Sequence, residues 1–190
     1  MFYLDTCILI SYIFESDRRH QDIIKEVNNF TNQGTLHISP LTLLELYMVA
    51  LVRLIHNKWK LPGPLRNIAK HYPLQDLRKI LFGILIGYLT QSINIQIHGD
   101  NEVEDLVRKF QEYAKLKISN CQVDVLKIYD YILSLVKQGL IIQYADMLHI
   151  LYAHELSKKK YVKYFVTSDT IFEKYSDLIL NLLGLNLKII

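Results

Sequence analysis

The chain predicts an α/β domain: a short, mostly parallel central sheet covered on both faces by helices, in three layers. Three observations lead there. Short apolar runs alternate from end to end with longer stretches of helical period. Most of those runs are apolar without alternation, the pattern of strands buried on both faces. The 190 residues, 51% of them hydrophobic, suffice for one core and not for two, so 1–190 reads as a single domain. The same composition, with a net charge of only +3, excludes disorder, and the 7 glycines are too few for a fold built on glycine-rich loops.

Taken in order, Phe2-Tyr3-Leu4 ends in Asp5 and reads as a buried first strand. Helices are expected over 8–14 and 21–33. In the second, Ile23, Ile24, Val27 and Phe30 share one face, and Gly34 stands where a C-terminal cap belongs. Leu36-His37-Ile38 is the second strand. Ser39-Pro40 then supplies an N-cap and a first-turn proline for a helix over 41–55. Pro62, Pro64 and Pro73 mark 58–73 as an irregular connection. A helix over 77–89 follows, then a strand over 93–97, where isoleucine alternates with polar residues. Two amphipathic helices are expected over 101–117 and 123–137, with Gly139 breaking the second. A helix over 144–158, a strand over 164–167, a short helix over 171–175 and a last strand over 185–189 complete the series.

The start of the chain has an acid at position 5 and no basic region or small-residue cleavage site, so no signal peptide is expected. The longest apolar run, 80–89, is too short to span a bilayer. Two cysteines, Cys7 and Cys121, make no disulfide framework at this size, and a reducing, cytoplasmic setting is the simpler reading. Charge is uneven. Residues 53–79 hold seven basic side chains against a single acid, Asp76, a local +6; since the whole is +3, the rest carries −3. Such a block suits a polyanionic partner, although a solvated helix surface has the same composition.

In open α/β sheets functional groups gather at the carboxyl ends of the strands. Asp5 follows the first strand, Glu45 lies on the helix after the second, Asp146 opens the helix over 144–158, and Asp169 follows the strand over 164–167. Each has a purely structural use. Asp5 and Asp169 can cap helices, and Asp146 suits a helix N-terminus. Glu45, surrounded in sequence by Leu41, Leu43, Leu44, Leu46 and Met48, is harder to explain that way. Four carboxylates aimed at one crevice repel one another unless a divalent cation sits among them, and hard oxygen donors suit Mg²⁺ or Mn²⁺.

These residues resemble the PIN-domain nucleases. The resemblance rests on Leu4-Asp5-Thr6, on Ile38-Ser39-Pro40 running into Glu45, on Ala145-Asp146-Met147-Leu148-His149, and on Val166-Thr167-Ser168-Asp169 followed by Phe172. It covers 1–50 and roughly 92–190. It implies a PIN-like three-layer fold and a metal-dependent endoribonuclease, with Asp5, Glu45, Asp146 and Asp169 as catalytic residues holding one or two Mg²⁺ or Mn²⁺ ions. Thr6 and Ser168 would orient those carboxylates. Within the family the toxin-type, VapC-like members pair with a small antitoxin and often form homodimers, while others process RNA without such a partner. The chain departs from the pattern in two ways. Cys7 stands where many members carry Ser or Asn, which would weaken a supporting hydrogen bond. The basic, proline-bearing stretch over 51–91 reads as a helical insert.

Other features have plainer uses. His149, beside Leu148 and Leu151, reads as a packed, hydrogen-bonded core histidine rather than a ligand. Among the 13 tyrosines, Tyr129, Tyr144 and Tyr152 fall at core spacing, whereas Trp59 and Tyr72, among Lys58, Lys60, Lys70 and His71, are better placed to stack on RNA bases. Lys58, Trp59, Lys60 and Lys70 are accordingly the RNA-binding candidates. A haloacid-dehalogenase phosphatase would need a second Asp at position 7, where Cys7 stands, and a dinucleotide-binding turn would need glycines after the first strand. The remaining rival is a PIN-like scaffold that binds RNA or protein without cutting.

Overall fold

The structure, a computed structural model, describes residues 1–55, 66–67, 70–71, 73–98 and 133–190. Five strands form one parallel sheet: β1 (Phe2–Leu4), β2 (Leu36–Ile38), β3 (Ile95–Ile97), β4 (Tyr164–Thr167) and β5 (Asn186–Ile189), in the order β3-β2-β1-β4-β5. The helices are α1 (Thr6–Ile13), α2 (His20–Gln33), α3 (Pro40–Ile55), α4 (Leu74–Ser92), α5 (Tyr144–Lys158) and α6 (Ser176–Leu183), with a 3₁₀ helix over Thr170–Tyr175. The expected α/β class and parallel sheet are therefore present.

Side chains alternate along each strand, which sorts them between two cores. Phe2 and Leu4 join Leu36, Ile38 and Val166 on one face, covered by α1 to α4 through residues such as Ile8, Val27, Leu46 and Leu85. Tyr3 and Phe165 face the other way, under α5 and α6, with Met147, Ile150, Phe172 and Ile179. Because β1 is buried on both faces and paired on both edges, it needs large apolar side chains throughout, and Phe-Tyr-Leu supplies them.

The chain builds β1, β2 and β3 in one direction and then crosses to the far side of β1 for β4 and β5. That reversal opens a crevice at the carboxyl ends of β1 and β4. Phe2 is level with Leu36 and Tyr164, and Tyr3 with His37 and Phe165, so β1, β2 and β4 end at nearly the same height. Segments leaving these strands start from one edge.

Local chemistry fixes the element ends. Ser39 Oγ accepts the Thr42 N–H at 3.2 Å and caps α3, as the Ser-Pro pair predicts. The α4 helix begins at Leu74 rather than 77, because Pro73 occupies its N-cap position. The strand expected over 93–97 is shorter, since the Ile93 N–H is still bonded to Leu89 O of α4. Gly184 ends α6 in the left-handed region at φ 64, its N–H on Leu180 O. The helix expected over 101–117, most of that over 123–137, and most of the connection over 58–73 lie outside the described residues; 133–137 is helical. Among the described residues no helix is long and apolar enough to cross a membrane.

Candidate active site

Asp5, the first residue beyond β1, is 8% exposed and accepts three hydrogen bonds. The Thr6 N–H reaches its Oδ1 at 2.7 Å, while the Thr167 hydroxyl and the Cys7 thiol reach Oδ2 at 2.7 and 3.1 Å. The residue does cap α1, so its structural use is real. That use occupies one oxygen from one side only. The other is held by a side chain from β4, 162 residues away, which a helix cap does not require. Burying a carboxylate at this depth is tolerable because three donors replace its lost water.

Cys7, expected to weaken a supporting hydrogen bond, keeps that bond with a weak donor: its thiol donates to Asp5 and its sulfur accepts the Ser168 N–H at 3.2 Å. Burial and the Asp5 charge push the thiol up to about 12, so it stays protonated and keeps donating.

Glu45 lies one turn and a half into α3. Its Oε2 accepts the Thr6 hydroxyl at 2.6 Å and faces His149 Nε2 at 2.8 Å. Burial alone would raise its carboxyl, but the bonds from His149 and Thr6 outweigh that and hold it below its ordinary value. His149 shows the matching behaviour. Burial would lower the imidazolium, but the Glu45 bond and the charges of Asp5, Glu45 and Asp146 carry it above its ordinary value. The reading of His149 as a packed core histidine covers half of its role. The ring is enclosed, and it also braces a site carboxylate.

Behind His149 stands a residue the sequence reading passed over. The Tyr3 hydroxyl lies 3.0 Å from His149 Nδ1, 2.8 Å from Ser39 Oγ and 3.0 Å from Thr42 Oγ1. With Nε2–H donating to Glu45, a neutral imidazole accepts at Nδ1 from the Tyr3 hydroxyl. Tyr3 faces the opposite core from Phe2 and Leu4, so its polar tip is the signal that marked it: a phenol in a fully buried strand needs a partner. His149 had a signal too, falling three residues after Asp146 and hence on the neighbouring helix face.

Asp146, in the first turn of α5, is half-buried and accepts no hydrogen bond among the described residues. Its carboxyl is pushed up to about 6, first by burial and then by the charges of Asp5 and Asp169, with Glu45 adding to them and His149 opposing. Asp169 is exposed beyond β4. Its Oδ1 caps the 3₁₀ helix through Ile171 N–H at 2.9 Å, and its own N–H donates to Thr167 Oγ1 at 3.1 Å. All four acids thus lie at the carboxyl end of the sheet, near enough for their charges to act on Asp146.

Of the two expected orienting hydroxyls, Thr6 links Asp5 to Glu45 as described. Ser168 Oγ is enclosed and has no hydrogen-bond partner among the described residues. The hydroxyl that holds Asp5 belongs instead to its neighbour Thr167. Lys58, Trp59 and Lys60 lie outside the described residues, and Lys70 is exposed.

The donor set is all oxygen and all anionic, which fits a hard divalent cation by chemistry. The spacing is open: among the described residues no three His, Cys, Asp or Glu side chains stand close enough together to enclose one. The raised Asp146 carboxyl, set first by burial and then by the neighbouring acids, is the kind of charge that a divalent cation would relieve.

A sequence profile of the PIN domain matches residues 2–178. No curated protein matches the chain significantly.

Proposed function

The chain belongs to the PIN-domain family, whose members are typically phosphodiester-cleaving nucleases, and on that premise we propose that it is a metal-dependent endoribonuclease acting at Asp5, Glu45, Asp146 and Asp169. The observation that carries the reading is the pressure on Asp146. Burial first, and then the carboxylates from the ends of β1 and β4 and from α3, push its carboxyl up to about 6, so three acids from separate parts of the chain act on a fourth.

Asp5, Glu45, Asp146 and Asp169 would hold a Mg²⁺ or Mn²⁺ ion, which would supply an activated water and neutralise charge on the scissile phosphate. The chain's own residues prepare that place. Asp5 is fixed by Thr6, Thr167 and Cys7 before any ligand arrives. Glu45 is braced by Thr6 and, through His149, by Tyr3, which is anchored on Ser39 and Thr42 at the start of α3. Rigid support of this kind keeps ligands oriented and lowers the reorganisation cost of binding. Asp146, bare of hydrogen bonds, has its oxygens left for a cation.

A second reading, a PIN-like scaffold that binds RNA without cutting it, is favoured by one observation, the open spacing of the donors. The partners we propose are RNA, reached in part through Lys58, Trp59, Lys60 and Lys70, together with a small antitoxin and a second copy of the chain. Support for a protein partner comes from Leu44, Met48 and Val52, exposed at four-residue spacing on the helix that carries Glu45.

The deciding experiment incubates purified protein with structured RNA in Mn²⁺, Mg²⁺ or EDTA, beside Asp5→Asn and Asp146→Asn. Cutting that needs metal and disappears in both variants establishes the nuclease. Binding without cutting by well-folded protein freed of any bound partner establishes the scaffold.

A further inference from the structure

Arg19 is a cation that the reading above leaves unused. It lies in the turn between α1 and α2, and its Nη1–H donates to Ser168 O at 3.0 Å, on the residue between Thr167 and Asp169. The turn that presents it is closed by its own hydrogen bonds. Asp17 Oδ1 accepts the Arg19 N–H at 2.9 Å, the Asp17 N–H donates to Phe14 O, the His20 N–H donates to Asp17 O, and the His20 ring donates from Nδ1 to Ser11 O at 2.8 Å. The backbone of Arg19 is therefore set before any ligand arrives.

Its charge is only partly paired. The one ion pair of Arg19 among the described residues is with Asp17 at 3.6 Å, too long for a hydrogen bond, and the enclosed Nε–H has no acceptor. None of Asp5, Glu45, Asp146 and Asp169 pairs with it. An arginine whose only role was to fasten Ser168 would cap one carbonyl with a fork of five donors, and 36% of this side chain is open to solvent. A guanidinium held at one nitrogen, on a side chain partly open to solvent and bonded to the residue next to Asp169, is matched in charge and shape to a phosphate.

We propose that Arg19 is a substrate-positioning residue, holding a non-bridging oxygen of an RNA phosphate next to the scissile one. The inference rests on the ribonuclease reading for the identity of its ligand. Its physical sense is that a crevice of four carboxylates repels a polyanion, so the strand needs a fixed cation at the rim to draw it into register.

The test measures binding of a short single-stranded RNA to the non-cutting Asp146→Asn protein and to the same protein carrying Arg19→Gln or Arg19→Lys, across a salt series. Arg19→Gln is expected to weaken binding about tenfold and to reduce the salt slope by about one charge, whereas Arg19→Lys keeps the slope and recovers part of the affinity. A scan with single uncharged methylphosphonate linkages then locates the contact: one position weakens binding to the parent and has no effect on Arg19→Gln. Should Arg19→Gln not fold, the scan on Arg19→Lys against the parent decides, because loss of the fork diminishes the effect of that one linkage. Unchanged affinity and slope in Arg19→Gln, or a scan in which no linkage depends on Arg19, overturns the proposal. Absence of cutting by wild type overturns only the nuclease reading, because the binding arm does not depend on turnover.

Discussion

Asp146 makes the sharpest prediction at the level of single residues. Its carboxyl stands at about 6 in the fold against an ordinary 3.8, so the folded chain holds that proton more tightly than the unfolded one. Ionising it costs stability. The cost is complete above about pH 6, shrinks as pH falls between 6 and 3.8, and is gone below. Asp146→Asn is therefore expected to stabilise metal-free protein at neutral pH by ~1 kcal/mol, allowing for solvent screening of a half-exposed group. Thermal melts in EDTA across the pH range check this; a variant that melts lower than wild type at neutral pH contradicts it. Tyr3→Phe is the complementary case. It strips one hydroxyl from His149, Ser39 and Thr42 without changing the shape of the core, and about 1–3 kcal/mol of stability should go with it. Nuclease turnover should fall with stability still ample for folding at low temperature, since Glu45 loses its brace. The four acids could be picked out as candidates because Asp5 and Asp169 directly follow strands, Glu45 lies on the helix after one, and Asp146 opens a helix. The roles of Tyr3, His149 and Thr167 could not, because a side chain that serves another side chain shows its partner only when the strands are laid beside one another.

At the scale of elements, what could be read depended on whether the governing chemistry was local. Ser39-Pro40 marks the start of α3 and Gly34 the end of α2 through contacts within a few residues, and both fall where expected. The boundaries that moved are those set by competition. Ile93 has the composition of a strand residue, yet its N–H completes the last turn of α4, so β3 begins two residues later than predicted. Pro73 has the composition of the irregular stretch before it, yet it stands at the N-cap of α4, where a proline without a free N–H costs nothing. Gly184 offers an isolated test. Its φ of 64 ends α6, and a methyl group there would meet no atom within 4 Å, so Gly184→Ala probes backbone strain alone. Destabilisation of about 1–2 kcal/mol is expected in chemical denaturation with no change in the site. A neutral result would mean that α6 can end without the left-handed residue.

Across the whole molecule, the fold class followed from the order of strands and helices, whereas strand order did not. Nothing in the chain before 164 says that β4 lies on the opposite side of β1 from β2, and that placement is what brings Thr167 to Asp5. A global consequence concerns cations. If Asp5 and Asp146 hold Mg²⁺ or Mn²⁺, either ion should raise the melting temperature of wild type in proportion to the logarithm of its concentration, because a ligand of the folded state alone stabilises by mass action. Asp146→Asn should lose most of that response. Equal responses in the two proteins would point to a cation site elsewhere.

The position of β1 at the middle of the sheet also bears on how the chain reaches its native state. Its register partners are Leu36 on one side and Tyr164 on the other, so one edge can pair early while the second waits for a segment more than a hundred residues downstream. Closing so large a loop is entropically slow, and pairings of this separation lengthen folding times. During synthesis at the ribosome Asp5 emerges long before the hydroxyl that orients it, which arrives only with β4. A chain ending before that strand would carry Asp5, Glu45 and Asp146 without Asp169 and without the Thr167 hydroxyl that orients Asp5, so the crevice cannot take shape until β4 has docked.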